Sequence, residues 1–349
     1  MASPRLALIG AGNMAQRAHI RNYAALAREG RCKIVGLLDA RPELARRVAH
    51  SYDIAHTFGD LPEVLDNPQV DGIVAILPYD QHVVVVPKLL AKGVPVFTEK
   101  PLALSVSAGE RLVAAGEKYH ATHMIGYHKR CDPAVQYARQ LVSTEGSENL
   151  GRMRYIRVTM PPGDWVDGSL PAITTSESMT YAEQDRPDDV RSVAAYDAFV
   201  NYYIHQVNLI RFLLGTPYTV RFADRAGTLL CGESSRGISV TLEMEPFRLS
   251  HGWWEQVLIG FEHAFIEMKL AAPLAETPGQ IRFVTEQASE VREQRPVLPS
   301  VSAMRQQAMT FLDVIEGKGV PPCNAREAIE DLKIARAWFQ YRDLASASG

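Results

Sequence analysis

The sequence lacks the features that would assign it to a membrane, secreted or nucleic-acid-binding class. No apolar run approaches the roughly 20 residues that a membrane-spanning helix requires. The first five residues, Met-Ala-Ser-Pro-Arg, do not resemble the apolar core of a signal peptide. A net charge of -3 indicates no basic surface for nucleic acid. We therefore expect a cytoplasmic protein that binds neither membranes nor nucleic acid.

Cysteine is scarce and scattered. Cys32, Cys131, Cys231 and Cys323 form no close pair along the chain, and no histidines stand near them at the spacing of zinc ligands. In the cytoplasm such residues are reduced thiols. We therefore expect neither a disulfide framework nor a metal site.

The chain is too long for one hydrophobic core. Its 349 residues predict two domains, each large enough to bury its own interior. Residues 1–125 alternate apolar runs with short helical patterns, which is typical of a parallel, doubly wound sheet. From residue 126 to residue 349, strand-like runs follow one another with few helices between them, which predicts an antiparallel or mixed sheet. The predicted fold class is α/β in both domains.

The first apolar run ends in a glycine turn. Gly10 permits the turn, Gly12 lets a pyrophosphate approach the backbone, and the amides that begin the next helix attract its negative charge. Asn13 and Met14 complete the turn, and Ala15 stands where the dinucleotide fingerprint usually has its third glycine. The pattern predicts a dinucleotide site, and an ordinary turn between a strand and a helix is the alternative.

A carboxylate follows the second apolar run. Asp39 stands about 24 residues after Ala15, where a first β-α-β unit has its acidic residue. A carboxylate there accepts hydrogen bonds from the ribose hydroxyls and repels a 2'-phosphate, so NAD is favoured over NADP. Arg41 weakens that preference. Alternatively, Asp39 caps the helix that begins near Pro42.

Further polar groups follow the later strands of the first domain. Ligands on a doubly wound sheet lie beyond the carboxyl ends of the strands. The residues that we expect there are Pro78, Glu99 and Lys100, and the resemblance given next implies that Leu77 and His82 join them.

Together, the glycine turn, Asp39, residues 77–82 and Glu99-Lys100-Pro101 resemble the glucose-fructose oxidoreductase, inositol dehydrogenase and MocA (Gfo/Idh/MocA) family. The resemblance covers nearly the whole chain and is most specific in its first half. It implies an NAD(P)-binding Rossmann domain in residues 1–125. In residues 126–349 it implies a substrate domain with an open sheet that commonly forms dimers or tetramers. It also implies that Lys100 lies between nicotinamide and substrate.

Residues 126–133 resemble the crossover between the two domains of that family. This implies that Tyr127 and Lys129 face the substrate. The alternative is a packed hinge that carries a solvated lysine.

One predicted helix of the second domain, residues 193–214, carries further chemistry. Asn201, His205 and Asn208 lie at i, i+4 and i+7, so they share a helix face. The face resembles a family motif with Asp, His and Asp at these spacings. An asparagine can orient the imidazole but cannot supply the charge of a carboxylate. His205 and Lys100 are therefore nearly equal candidates for the base, and a structural histidine beside an ordinary lysine is the alternative.

A loop rich in acidic residues, residues 161–189, precedes this helix. Its acids are Asp164, Asp167, Glu177, Glu183, Asp185, Asp188 and Asp189, against one basic residue, Arg186. If the loop borders the cleft, it favours a cationic substrate such as an amino sugar or aminoglycoside. A solvated acidic loop is the alternative. Trp165 stacks on a sugar face in the first case and anchors the loop in the second.

These patterns favour an NAD-dependent dehydrogenase. It would transfer hydride from a secondary hydroxyl of a sugar, amino sugar or cyclitol to nicotinamide, with Lys100 and His205 in proton transfer and Asn201 beside the histidine. Two alternatives stay open. One is a glycosidase or lyase that oxidises its substrate transiently on bound NAD, and the other is a non-catalytic, NAD-binding regulatory protein.

Overall fold

The computed structural model describes residues 3–146, 150–166, 169–181, 185–187, 190, 192–287 and 290–347. The chain separates into two compact units. The first comprises Met1–Tyr127, Ser169–Asp188 and Met304–Ile329, and the second comprises His128–Gly168, Asp189–Ala303 and Glu330–Gly349. The predicted boundary after residue 125 thus lies two residues before the first change of unit. Two later segments return to the first unit, which a single boundary cannot represent.

The secondary structure alternates in the first unit and is dominated by strands in the second. The strands are β1 Arg5–Ile9, β2 Lys33–Leu38, β3 Gly72–Ala75, β4 Val96–Thr98, β5 His123–Ile125, β6 Met153–Thr159, β7 Tyr218–Ala223, β8 Leu229–Ser234, β9 Ser239–Glu243, β10 Gln256–Phe261, β11 Ala264–Lys269, β12 Gln280–Gln287 and β13 Glu290–Gln294. The α-helices are α1 Arg21–Arg28, α2 Pro42–Ser51, α3 Leu61–Asp66, α4 His82–Leu90, α5 Val106–Lys118, α6 Pro133–Val142, α7 Val193–Tyr202, α8 Ile204–Leu214, α9 Ala303–Ile315 and α10 Ala325–Ala347. A π-helical segment, Ala15–Ile20, leads directly into α1. Within the described ranges, none of these helices is both long and apolar enough to cross a bilayer.

The first unit is built on a parallel sheet of strand order β2-β1-β3-β4-β5. Its strands are apolar because both faces of the sheet are covered, as in other doubly wound sheets. The chain adds β2 on one side of β1 and β3 on the other, so the strand order reverses beside β1. Such a switch point is where these sheets bind ligands. The predicted doubly wound parallel sheet is confirmed.

Helix α9 completes the core of this unit from far along the chain. Phe311 is fully buried, and its ring centroid lies 5.6 Å from that of Phe97 in β4. Gly72 in β3 leaves room for Ile315, whose Cδ1 would lie 2.4 Å from any Cβ at that position. The parallel sheet therefore depends on a helix that the N-terminal pattern does not contain.

The second unit contains a sheet of strand order β13-β12-β11-β10-β6-β9-β8-β7. β6 pairs in parallel with β9 and antiparallel with β10, and the remaining pairs are antiparallel. Burial alternates along β10, which is typical of a sheet that packs one face on the core. The predicted open, mostly antiparallel sheet is confirmed.

The predicted single helix over residues 193–214 is wrong in one respect, because it is divided at Tyr203. Tyr203 is a single turn residue between the two helices, with φ -90° and ψ -7° in the right-handed region. The two adjacent tyrosines are held by different segments: the Gly163 amide donates to the Tyr202 hydroxyl, and the Tyr203 hydroxyl donates to the Met244 carbonyl. These separate attachments fix a turn between α7 and α8.

His82 and His123 are buried histidines of the first unit. His123 is 4% exposed, and its Nε2 lies 2.9 Å from the Thr98 hydroxyl. His82 is fully buried, and its Nδ1 lies 3.0 Å from the Leu102 carbonyl oxygen. Burial lowers the pKa of both, and repulsion from His82 helps to lower the pKa of His123 to about 3.

We expect acid to destabilise the protein through His123. An unfolded histidine has a pKa of about 6.5, so between about pH 6.5 and 3 the unfolded chain binds a proton that the folded chain does not. The contribution of His123 to the free energy of unfolding is therefore fully present above this window. Within the window it decreases by about 1.4 kcal/mol for each unit by which the pH falls. Urea unfolding of the wild type and of His123→Gln from about pH 7.5 to about pH 5 measures this effect. The variant should show the shallower pH dependence, and equal slopes would contradict the assignment.

Candidate active site

The glycine turn of the first unit has the backbone geometry that a dinucleotide site requires. Gly10 has φ +95°, and a Cβ there would lie 2.1 Å from the Ile76 carbonyl oxygen, so this position admits only glycine. Gly12 is more open, since the nearest atom to a Cβ built on it is the Arg41 Nη2 at 3.8 Å. The turn thus fits the close approach of a pyrophosphate at Gly12.

The residues after the glycine turn differ in burial. Asn13 is exposed, Met14 is half-buried, and Ala15 is fully buried under the π-helical segment. No side-chain hydrogen bond caps the segment at Met14. Small Ala15 permits close packing, while the amides before it are suited to an anion.

Asp39 follows β2 as predicted, and protein donors bind its carboxylate. Its Oδ2 accepts hydrogen bonds from the Ala11 amide at 2.7 Å and the Arg41 Nη2 at 3.0 Å. Its Oδ1 accepts from the Arg41 amide at 2.9 Å and the Arg41 Nε at 2.8 Å. Burial alone would raise the pKa of Asp39, but the Arg41 hydrogen bond and these amides lower it overall. Asp39 is therefore ionised and linked directly to the glycine turn.

The alternative that Asp39 caps the following helix is wrong. The residue at the N-cap of α2 is Arg41, and its side chain makes no capping hydrogen bond. The amides of Glu43 and Leu44 are instead bonded by Glu177, at 3.2 and 3.0 Å. Asp39 is left to face Ala11 and Arg41.

Glu99 and Lys100 follow β4. Glu99 is 6% exposed, its Oε1 lies 2.7 Å from the Nε2 of His19, and its Oε2 accepts from the Lys100 amide at 3.1 Å. Burial alone would raise the pKa of Glu99, but the hydrogen bond and attraction of His19 and the attraction of Lys100 lower it. A negative charge is thus fixed beside half-buried Lys100, whose peptide bond to Pro101 is cis.

His19 is not among the site residues predicted from the sequence. A signal for it is present, because His19 stands four residues after Ala15 and so shares the helix face that packs on the sheet. A histidine on a buried face needs a hydrogen-bond partner, and the acid after β4 supplies it.

The three predicted residues after β3 have different environments. Leu77 is half-buried and Pro78 is exposed, and both directly follow Ile76, whose carbonyl approaches Gly10. His82 is fully buried against Leu102. Leu77 and Pro78 are therefore beside the glycine turn, whereas the His82 side chain is enclosed in the protein.

Part of the acidic loop is attached to the first unit by hydrogen bonds. Residues 169–181 and 185–187, which we call the strap, belong to the first unit. The strap is attached to the π-helical segment by a reciprocal pair: the Ile173 amide donates to the Gln16 Oε1 at 2.8 Å, and the Gln16 Nε2 donates to the Ile173 carbonyl at 3.0 Å. Gln16 is buried, and it is not among the site residues predicted from the sequence.

Two acids of the strap bind backbone amides. Glu177 bonds the first amides of α2, as described above, and Asp185 accepts from the Leu104 and Ser105 amides at 2.6 and 3.2 Å. These carboxylates bind the protein itself, which weakens the inference that the loop selects a cationic substrate.

The other acids of residues 161–189 lie outside the strap or outside the described residues. Asp167, Glu183, Asp188 and Asp189 lie outside the described residues. In the second unit, Asp164 accepts a hydrogen bond from the Val166 amide at 3.1 Å. Trp165 is half-buried in the same turn, and its contact with a sugar stays a prediction.

Lys129 lies in the second unit and is buried in an ion pair, so the alternative of a solvated lysine is wrong. Its Nζ lies 2.5 Å from the Glu255 Oε2, and the Gln206 Nε2 donates to the Glu255 Oε1 at 2.8 Å. Lys129 Nζ also lies 5.7 Å from the centroid of the Trp253 ring. Tyr127, the last residue of the first segment of the other unit, is 2% exposed.

The predicted polar face of the helix is divided among three environments. Asn201 is exposed near the end of α7, whereas His205 is half-buried near the start of α8. The His205 ring packs edge-on against His128, with centroids 4.6 Å apart. Asn208 is 1% exposed. The turn at Tyr203 places Asn201 on α7 and the other two residues on α8.

Asn208 is held in a buried network of the second unit. Its Oδ1 accepts from the Arg130 Nε at 2.7 Å, and its Nδ2 donates to the Asp331 Oδ2 at 2.7 Å. Arg211 also donates to the Asp331 Oδ1 at 2.9 Å. The position requires a side chain that both accepts and donates, which asparagine does and an ionised aspartate does not. This accounts for one departure from the Asp-His-Asp motif.

The described residues bear on the two predictions about metal sites and cysteines. In that part of the chain, no three His, Cys, Asp or Glu side chains are grouped so that they could hold a metal ion. Cys32, Cys131, Cys231 and Cys323 are free thiols.

Comparison with known sequences relates the first part of the chain to a family of oxidoreductases. Residues 4–127 match the sequence model GFO_IDH_MocA, described as an oxidoreductase family with an NAD-binding Rossmann fold. The chain is 30% identical over 218 residues to scyllo-inositol 2-dehydrogenase (NAD(+)) of Bacillus subtilis, covering 62% of this chain and 55% of that protein. It is 29% identical over 135 residues to the rhizopine catabolism protein MocA of Rhizobium meliloti, covering 39% and 41%. These matches thus span about half or less of each relative's length.

Solved structures share the fold over almost the full chain. Levoglucosan dehydrogenase in complex with NADH and levoglucosan is 17% identical with a TM-score of 0.77, covering 98% of each chain. UDP-N-acetylglucosamine 3-dehydrogenase from Acidithiobacillus ferrooxidans is 18% identical with a TM-score of 0.74, covering 99% of each chain. At these identities the likeness establishes the fold.

Proposed function

Because its residues 4–127 belong to the GFO_IDH_MocA family of oxidoreductases, we propose that this protein is an NAD-dependent dehydrogenase of a sugar or cyclitol. The observation that carries the proposal is the group at the carboxyl ends of β1 and β4: the open glycine turn at Gly12, and ionised Glu99 beside Lys100. The named activities of the relatives, on inositols and sugars, support the choice of a secondary hydroxyl as the reacting group.

The residues of the first unit fit a dinucleotide. Gly12, Asn13 and Met14 would hold the pyrophosphate through backbone amides, and Asp39 would face the adenosine ribose. Bound NAD would supply the hydride acceptor. The ionised state of Asp39 and its link to the glycine turn through Ala11 support NAD as the cofactor.

Lys100 and His205 would together move the proton of the substrate hydroxyl. Lys100 lies beside the ionised carboxylate of Glu99 and would donate a hydrogen bond to the substrate oxygen. His205, half-buried against His128, would accept the proton as an imidazole. Asn201 lies close to His205 in sequence and would contact the substrate through its exposed amide.

The strap changes the order in which substrates should be tested. Since Glu177 and Asp185 bind backbone amides, neutral polyols and inositols come before amino sugars and aminoglycosides. Nicotinamide absorbance should rise when the protein, NAD and one neutral substrate are combined. A signal with amino sugars alone would restore a role for the acidic loop. Silence with both sets would contradict the dehydrogenase proposal.

The two other activities are separated by different readouts. A glycosidase that oxidises transiently would release the aglycone without net NADH. A regulatory protein would bind NAD and lack turnover. The network around Asn208 reduces the support for the regulatory protein, because it explains this asparagine by packing and not by loss of catalysis.

A further inference from the structure

The strap brings a carboxylate to the start of α2. Glu177 Oε1 and Oε2 accept hydrogen bonds from the Glu43 and Leu44 amides at 3.2 and 3.0 Å, and Thr175 donates to Oε2 at 3.2 Å. The first amides of a helix have no partner within the helix and attract anions. Glu177, from a segment distant in sequence, therefore occupies the anion position of this helix.

Arg41 lies between this carboxylate and the glycine turn. Its guanidinium binds Asp39 through both Nε and Nη2, and its Nη2 approaches the space over Gly12. The hydrogen bond to Asp39 is the main cause that raises the pKa of Arg41, against the effect of burial, and attraction to Asp39, Tyr181 and Glu177 adds to it. Two carboxylates and one guanidinium thus meet where the ribose of a dinucleotide would lie, and their summed charge is negative.

The surroundings of this ribose distinguish NAD from NADP, because the two cofactors differ only in the 2'-phosphate that NADP carries there. In sites of this kind an acidic residue after the second strand binds the ribose 2'-hydroxyl, and a nearby arginine accommodates the 2'-phosphate of NADP. Here Arg41 is bound to Asp39. A phosphate would also have to displace Glu177 from the two amides of α2 or lie against its charge. A 2'-hydroxyl carries no charge and meets no such repulsion.

We propose that Glu177 of the strap is a specificity determinant that excludes NADP, by occupying the anion position at the start of α2 and by adding negative charge beside Asp39 and Arg41. This inference rests on the proposed function, because it concerns the dinucleotide site of that dehydrogenase. It gives the acidic loop a role toward the cofactor rather than toward the substrate.

The test is the affinity of purified protein for NADH and NADPH, measured by fluorescence titration at fixed ionic strength without substrate. Wild type should bind NADH more tightly than NADPH. Glu177→Gln keeps the shape and removes the charge, so its affinity for NADPH should rise about tenfold. Its affinity for NADH should change by less than about threefold. Glu177→Asp, which retains the charge, should retain the preference for NADH.

Glu110→Gln is the matched control, because it removes an equal charge from an exposed position on α5. It should leave both affinities unchanged. If Glu177→Gln weakens both cofactors equally and lowers the melting temperature, Glu177 only anchors the strap and the inference is wrong. A wild type that prefers NADPH would also overturn it. Failure to bind either dinucleotide would overturn the proposed function as well, so the two failures are distinguishable.

Discussion

Lys100→Met is expected to lower kcat for substrate oxidation by about 1,000-fold. The ammonium of Lys100, held beside ionised Glu99, is assigned to the substrate oxygen, where negative charge develops as the proton leaves. Methionine keeps much of the side-chain length and removes the charge. Cofactor affinity should change by less than about threefold, because the amides of the glycine turn are untouched. Steady-state kinetics with the best neutral substrate, together with NADH titration, measure both quantities.

Lys88→Met provides the control, since Lys88 is an exposed lysine of α4 in the same unit. Its kcat should equal that of the wild type. If Lys100→Met retains kcat, the lysine has no part in the chemistry and His205 alone carries the proton. A parallel loss of NADH binding would indicate that Lys100 shapes the cofactor site instead.

Asn208→Asp is expected to destabilise the second unit by about 3 kcal/mol at neutral pH. The change replaces a donor amide, 2.7 Å from the Asp331 Oδ2, by a second carboxylate in a buried site. Two carboxylates at this distance repel each other, although Arg130 and Arg211 each donate to one of them, and the repulsion favours uptake of a proton by the pair. Urea unfolding measures the loss, which should shrink as the pH falls, because protonation of the pair removes the repulsion.

The double variant Asn208→Asp, Asp331→Asn tests whether this network is the cause. It exchanges the two groups, so that Arg130 still faces an acceptor and one amide again donates to one carboxylate. We expect it to recover at least about half of the lost stability. If both variants are equally destabilised, the cost arises from something other than the carboxylate pair. A stable Asn208→Asp would show that the family's aspartate is compatible with this network.

Much of the first unit could be predicted because its signals are local. The apolar runs that become β1 and β3 are buried on both faces, and Gly10 marks a turn that no side chain permits. Asp39 could be placed because its distance from the glycine turn is fixed by one β-α-β unit. The binding of Arg41 to Asp39 depends on side-chain rotamers, which the sequence pattern does not specify.

The parts that were missed depend on partners far along the chain. Asn208 and Asp331 are 123 residues apart, and Glu177 lies 133 residues from Leu44, so no periodicity links them. The turn at Tyr203 likewise depends on tertiary hydrogen bonds of two adjacent tyrosines, which override a continuous helical pattern. Helical spacing alone therefore placed Asn201, His205 and Asn208 on one helix, which the folded chain divides into α7 and α8.

The return of α9 to the first unit has a consequence for the biosynthesis of this protein. Phe311 and Leu312 are fully buried in the same core as Leu6 and Phe97. A ribosome completes every strand of the parallel sheet long before it makes α9, so the nascent sheet emerges with one apolar surface uncovered. Chaperones that bind exposed apolar surface have their longest opportunity during this interval. A fragment that ends after β5 should keep that surface exposed permanently and aggregate.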